Sequence, residues 1–218
     1  TVRQLDEAGF SWVATGESVL RNSLNHAGIE LDCIHRPYRL EGTDGHCFFR
    51  DDGLSDLIGF AYADWRANDA VGNMIHHLEN IATACAQEPN RVVPIILDGE
   101  NAWEHYANNG YPFLATLYRR LAEHPDLELT TFSDAIKGGE EPTELPHLVA
   151  GSWVYGTFST WIGEVDKNRG WELLAHAKQA FDTAVAEGKL KGKRLAEAEH
   201  QLAICEGSDW FWWFGDYN

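Results

Sequence analysis

The sequence predicts an α/β protein, with parallel strands in its first part and a mainly helical region after about residue 140. Three observations carry this expectation. The apolar run Val92–Leu97 is rich in β-branched residues, lacks polar alternation and stops at Asp98, which suits a strand buried on both faces. Between residues 10 and 132, strand candidates alternate with helical stripes, the order that implies a parallel sheet, open or closed. Beyond the Gly/Glu/Pro-rich stretch Lys137–Pro146, apolar residues recur at helical spacing.

Taken in order, Leu5 and Ala8 read as the tail of a helix already under way. Phe10–Ala14 is a short strand candidate, followed by a helix over about Glu17–His26. Pro37–Leu40 and His46–Arg50 are strand candidates separated by the turn Gly42-Thr-Asp-Gly45. A helix near Leu54–Trp65 comes next, then a longer one with Val71, Ile75, Leu78, Ala82 and Cys85 on one face. Val92–Leu97 is expected as the central strand, Phe113, Leu114, Leu117 and Leu121 mark another amphipathic helix, and Leu127–Phe132 is the last strand candidate. In the second part, Trp171, Leu174, Ala177, Phe181 and Val185 form one stripe, and Leu195, Ala198, Leu202 and Cys205 another. The expected division is therefore 1–140 and 141–218, with no internal repeat.

Composition excludes several function classes. The 218 residues carry a formal net charge of −17, which repels a phosphate backbone or an anionic bilayer, so neither nucleic acid nor membrane is an expected partner. No apolar stretch approaches membrane-spanning length. Cys33, Cys47, Cys85 and Cys205 are scattered without a Cys-x-x-Cys pair, which reads as reduced thiols in a cytoplasmic setting. Nine Trp alongside many acids is a common composition of glycan-active proteins, although any single Trp is better explained as core.

The chemistry concentrates at residues 93–106, Val-Pro-Ile-Ile-Leu-Asp-Gly-Glu-Asn-Ala-Trp-Glu-His-Tyr. Acidic residues at the exit of a buried parallel strand stand where α/β folds and β/α barrels build active sites. Trp103, five residues past Asp98, offers a flat apolar face of the kind that holds sugar rings. The competing reading of Asp98 is an N-cap of the following segment. Glu100 could hydrogen-bond a sugar hydroxyl, but a supporting or capping role is the better reading. Arg50, Asp51, Asp52 and Asp56 follow a strand candidate and are expected to form a local salt-bridge cluster.

Leu-Asp-Gly-Glu-Asn-Ala-Trp-Glu-His-Tyr at 97–106 resembles the fourth signature region of the family 57 glycoside hydrolases. Residues 151–174, with Gly-Ser-Trp-Val-Tyr-Gly-Thr-Phe-Ser-Thr-Trp-Ile-Gly-Glu, resemble the fifth region, and 48–60 and 206–215 resemble two further segments, all in the right order. The resemblance implies the C-terminal part of a seven-stranded β/α barrel followed by a helical region. It also implies a retaining hydrolase or glucanotransferase (amylase or 4-α-glucanotransferase type) acting on α-glucans, without a metal or other cofactor. By the match Asp98 is the general acid/base, Trp103 stacks on a sugar, and Trp153 or Trp161 completes the aromatic wall. A retaining glycosidase needs two carboxyl groups about 5 Å apart. The family's region bearing the nucleophilic Glu precedes a stretch like Ala8–Thr15, so that Glu is expected upstream of residue 1. The chain thus reads as a slice, inactive alone, whose partner is the N-terminal part of the same protein and which self-associates through an uncovered sheet edge.

Other classes meet specific obstacles. A metal-dependent polysaccharide deacetylase needs closely spaced His ligands, and the ten His contain no His-x-x-x-His, with only His76 and His77 adjacent. Dinucleotide, phosphate and serine-hydrolase fingerprints are missing. A non-catalytic glucan-binding or interaction module stays open, because a slice can keep aromatic platforms while losing chemistry.

Overall fold

The computed structural model describes residues 2–31, 33–88, 91–99, 102–138 and 142–215. They form two compact units, residues 1–156 and 157–218.

In the first unit a short helix α1 (Val2–Glu7) leads through a left-handed Gly9 into strand β1 (Trp12–Gly16). Helix α2 (Glu17–Ala27) follows and ends at Gly28, whose φ of 69° closes the helix back onto Leu24 and Asn25. Strands β2 (Tyr38–Leu40) and β3 (His46–Arg50) form a hairpin through the turn at Gly42, where Thr43 N–H returns to Leu40 O. The fourth strand, β4 (Thr143–Leu145), falls inside the stretch that the sequence marks only as a change of character. The sheet order is β1-β3-β2-β4. β1 runs parallel to β3, β2 antiparallel to β3, and β4 parallel to β2.

The architecture is thus α/β, with three corrections. The sheet is mixed rather than parallel, because a turn as short as 42–45 can only reverse the chain, whereas a parallel connection needs a crossover of a dozen or more residues. Val92–Leu97 is not a ladder strand. Its backbone groups bond to side chains at Ile96 and to the isolated backbone groups of His35 and Asp51 at Val92 and Pro94, not to a neighbouring strand. Leu127–Thr131 is likewise no strand, and Phe132 already opens helix α6 (Phe132–Gly138).

The expected helix at 54–65 is a composite. Helix α3 (Asp52–Asp56) widens into a π-turn over Leu57–Ala61 and tightens into a 3₁₀ turn over Tyr62–Asp64. The Tyr106 hydroxyl donates to Ile58 O at 2.5 Å, so a side chain from elsewhere in the unit serves a carbonyl of the widened turn. Helix α4 (Ala67–Ala84) buries Val71, Ile75 and Leu78 of the stripe read from the sequence, together with Ala70 and Met74, against Phe113, Leu117 and Leu121 of helix α5 (Tyr111–Ala122), while Ala82 and Cys85 of that stripe are half-buried. Each Val, Leu, Ile, Phe or Met side chain among them contributes about 1.5–3 kcal/mol on burial. A second cluster packs Val19, Leu20 and Leu24 of α2 on Tyr38, Leu40, Cys47, Phe49 and Leu145 of the sheet.

The second unit is helical, with α7 (Val165–Ala186) and α8 (Lys193–Cys205). Glu164 caps α7 by accepting from Asp166 N–H and Lys167 N–H. Lys167 is fully buried, and its Nζ donates to Thr160 O at 2.5 Å and Phe211 O at 3.1 Å. Gly170 lets the Trp210 ring lie directly on the helix, where an added Cβ would stand 2.5 Å from ring carbons.

Candidate active site

The parallel strands β1 and β3 end side by side, with Gly16 in register with Arg50. The Trp153 backbone passes so close that a Cβ on Gly16 would stand 2.6 Å from Trp153 Cα. Only glycine admits that approach, and it brings the Trp153 ring over the Arg50 guanidinium, with the carbon Cζ 5.5 Å from the ring centroid. Trp153 remains 40% exposed, so it presents aromatic surface to solvent beside this strand end.

Arg50 is the hub. Its Nη1 donates to Asp52 Oδ1 at 2.8 Å, its Nη2 to Asp56 Oδ1 at 2.6 Å, and its Nε to the carbonyl of Ile96 at 3.0 Å. The salt-bridge cluster expected from the sequence is present. The bond to Ile96 is what the sequence did not reveal. Two more bonds hold the same stretch: Asp51 N–H donates to Pro94 O at 2.9 Å, and Ile96 N–H donates to Ser55 Oγ at 3.2 Å. Residues 94–96 are therefore strapped across the end of β3 and the start of α3. Side chains take both backbone groups of Ile96, which explains why this apolar run forms no ladder there. Two residues beyond the strap, Asp98 is exposed.

The cluster sets one guanidinium among several carboxylates. Desolvation works against the Arg50 charge, but the hydrogen bonds and charges of Asp56 and Asp52 outweigh it and raise its pKa. Desolvation pushes Asp52 above the usual carboxylate value; Arg50 opposes this, while Glu17 and Asp56 reinforce it. Asp51 is held below the usual value: burial acts upward, and its bonds to His35 and to Leu54 N–H overcome it. Asp51 also caps α3, with Oδ1 accepting from Leu54 N–H at 2.8 Å. With its charge met by two carboxylates, Arg50 serves to fix the strap, two residues before the exposed Asp98.

The remaining sequence-predicted residues are placed as follows. Trp103 is half-buried; its ring lies 5.4 Å from Tyr106 and 6.2 Å from Phe113, and Gly110 abuts it. At least one side of that ring is core. Trp161 belongs to the second unit, edge-on to Trp212 at 5.9 Å, with its carbonyl accepting from Trp171 Nε1 at 2.8 Å. Glu100 lies outside the described residues. Gly16, Ser55 and Glu17 were not singled out from the sequence, although the exit of β1 carries the same strand-end signal as the exit at Asp98.

No helix among the described residues is long and apolar enough to cross a membrane. The sequence pattern described as Glycosyl hydrolase family 57 matches residues 1–148, more than half of the chain. Solved structures share the fold. A branching enzyme of the same family type from the hyperthermophilic archaeon Pyrococcus horikoshii matches with a TM-score of 0.76 at 16% identity, over 97% of this chain and 46% of that one. A second branching enzyme, from Thermococcus kodakaraensis and solved with glucose, matches with a TM-score of 0.63 at 15% identity, over 96% and 45%. The 4-α-glucanotransferase of Thermococcus litoralis matches with a TM-score of 0.58 at 19% identity, over 89% and 29%. The chain thus spans less than half the length of each of these three proteins.

Proposed function

Because the chain belongs to glycosyl hydrolase family 57, we propose that it supplies the general acid/base half of a retaining glycoside hydrolase or glucanotransferase acting on α-glucans. Asp98 is the acid/base: it protonates the leaving glycosidic oxygen and later takes a proton from the incoming water or sugar hydroxyl. The nucleophilic Glu comes from the part of the protein before residue 1, together with the strands that complete a seven-stranded barrel. Residues 1–140 carry the acid/base motif and 141–218 the fifth motif. Trp103, Glu100 and one of Trp153 and Trp161 contact sugar in the assembled site. The isolated stretch has no turnover, because half a catalytic pair cannot run a double displacement, and its partner is the N-terminal part of the same protein or, failing that, a second copy.

The observation that carries this reading is the family match across a segment that ends in an exposed Asp98, held by three hydrogen bonds to the end of β3 and the start of α3. Catalysis requires a proton donor fixed to within fractions of an ångström, and a strapped segment provides such fixing. The test is Asp98→Asn in the full-length protein, assayed by release of reducing ends and by transfer to a labelled acceptor. Turnover is expected to fall by roughly 10²–10⁴-fold. Glucan affinity survives, because stacking and hydroxyl contacts do not need the acid. Turnover at the unmutated rate removes Asp98 from this role. Glucan binding without turnover in the unmutated full-length protein would instead identify a binding module.

A further inference from the structure

Behind the strap lies a second constellation that the proposed chemistry does not use. Cys33 and His35 sit in the loop between α2 and β2, and Cys85 follows the last turn of α4. Sequence spacing gave no hint of them as a group, since 50 positions separate His35 from Cys85. The two sulfurs are 3.6 Å apart, and Cys85 Sγ is 3.8 Å from His35 Nδ1. The three ligand atoms lie within 4.8 Å of one another.

The two distances at Cys85 are close to those of a tetrahedral metal site. With Zn–S near 2.3 Å and Zn–N near 2.0–2.1 Å, tetrahedral angles put two sulfur ligands about 3.8 Å apart and a sulfur about 3.6 Å from a nitrogen. The surroundings match as well. His35 Nε2 lies 2.8 Å from Asp51 Oδ2, the carboxylate–histidine pairing that places the proton on Nε2 and leaves the Nδ1 lone pair for a ligand. The backbone N–H of His35 donates to Cys33 Sγ at 3.3 Å, a bond that a metal-bound sulfur can keep. A disulfide requires the sulfurs to close to about 2.0 Å and has no use for an oriented imidazole. Asp51 directs His35 toward the sulfurs, and that orientation distinguishes a ligand set from two neighbouring thiols.

We propose that Cys33, Cys85 and His35 Nδ1 bind one zinc ion, with the fourth position taken by water or a small exogenous ligand. On binding, the two thiols release their protons to solvent, and the resulting site of Zn²⁺ and two thiolates is formally neutral, which suits its largely buried position. The ion would act as a brace. His35 O accepts from Val92 N–H at 2.8 Å, and Asp51 N–H donates to Pro94 O, so two residues of the site hold the segment that leads to Asp98. This inference rests on the ligand geometry and stands whether or not Asp98 is the acid/base.

The experiment uses the purified protein, reduced and stripped with a chelator, then titrated with Co²⁺ as an optical stand-in and with Zn²⁺ in competition. One tetrahedral, thiolate-bound Co²⁺ per chain is expected, with sulfur-to-cobalt charge-transfer absorption and intense visible bands that Zn²⁺ abolishes. Cys33→Ser and Cys85→Ser remove the charge-transfer band, while Cys205→Ser, at an exposed thiol outside the cluster, leaves it intact. Asp51→Asn keeps the spectrum and weakens affinity by about 10–100-fold. A pale octahedral spectrum from the unmutated protein overturns the proposal, as does an unchanged spectrum in Cys85→Ser. Recovery of Cys33 and Cys85 as a disulfide from anaerobically purified protein overturns it too.

Discussion

Replacing Arg50 with Met tests whether the strap is held by the guanidinium, since Met keeps much of the apolar stem and removes every donor. The loss divides into unequal parts. Asp52 and Asp56 are 32% and 52% exposed in their side chains, so water replaces much of what they lose, and each pair is worth about 0–1 kcal/mol. The Ile96 carbonyl loses a charge-assisted bond on the partly buried side of the segment, worth about 1.5–3 kcal/mol. The sum is a destabilisation of about 1.5–5 kcal/mol. With a urea dependence of about 2 kcal/mol/M, the middle of that range lowers the unfolding midpoint by roughly 1–2 M. The deficit also has a pH signature. Asp52 already titrates above its ordinary value of 3.8, because desolvation outweighs the pull of Arg50. Removing Arg50 raises it further. A carboxyl whose folded pKa is raised contributes stability that is fully present below the unfolded pKa and lost as pH rises through the folded one. The variant's deficit is therefore smallest at about pH 4 or below and grows toward neutrality. Urea unfolding at about pH 4 and pH 7, read by far-UV circular dichroism, measures both effects. A neutral-pH deficit under about 1 kcal/mol, or one that shrinks as pH rises, would refute the assignment of Arg50 as the hub.

Two glycines give independent checks. Gly16 has an ordinary φ of −81°, so Gly16→Ala acts purely through the Cβ clash with the Trp153 backbone and should cost about 1–3 kcal/mol. Gly59→Ala, with nothing within 4 Å of its added Cβ, should be neutral or up to about 1 kcal/mol stabilising, and equal melting temperatures for the two variants would discount the close approach. In the second unit Gly170→Ala should destabilise by about 1–2 kcal/mol despite a helix-propensity gain, because Trp210 is stacked on Phe211 at 3.5 Å and cannot easily withdraw. Its signature is a red shift of tryptophan emission, and a raised melting temperature without that shift contradicts the packing described.

Elements governed by local pattern were legible in the sequence. The stripe Val71, Ile75, Leu78 is buried as its spacing demands, and the turn Gly42-Thr-Asp-Gly45 marks the hairpin it forms. Where the reading failed, partners distant in sequence decided. Val92–Leu97 has the composition of a buried strand, yet Arg50 and Ser55 occupy the backbone groups of Ile96. Three residues between two prolines, Thr143–Leu145, offer no periodicity, and only β2 makes them a strand. In α7 the apolar stripe was visible, but the residue that is wholly buried is Lys167, which composition would place on the surface. For the site, the exit of the apolar run pointed to Asp98 and the acidic cluster around Arg50, while the bond joining them depends on a carbonyl, which every residue possesses and no motif can mark.

The pairing of β2 with β4 has a consequence for synthesis. Arg39 and Glu144 are register neighbours and ion-pair partners, yet 105 positions separate them. At translation rates of about 5–20 residues per second, roughly 5–20 s pass between the emergence of one and the other. Throughout that interval the outer edge of β2 lacks its native neighbour, while α4 and α5, whose contacts are closer in sequence, can already consolidate. An open edge is a template for any extended chain. The nascent polypeptide is therefore most vulnerable to mispairing and most in need of chaperone cover between the completion of the hairpin and the arrival of residue 145.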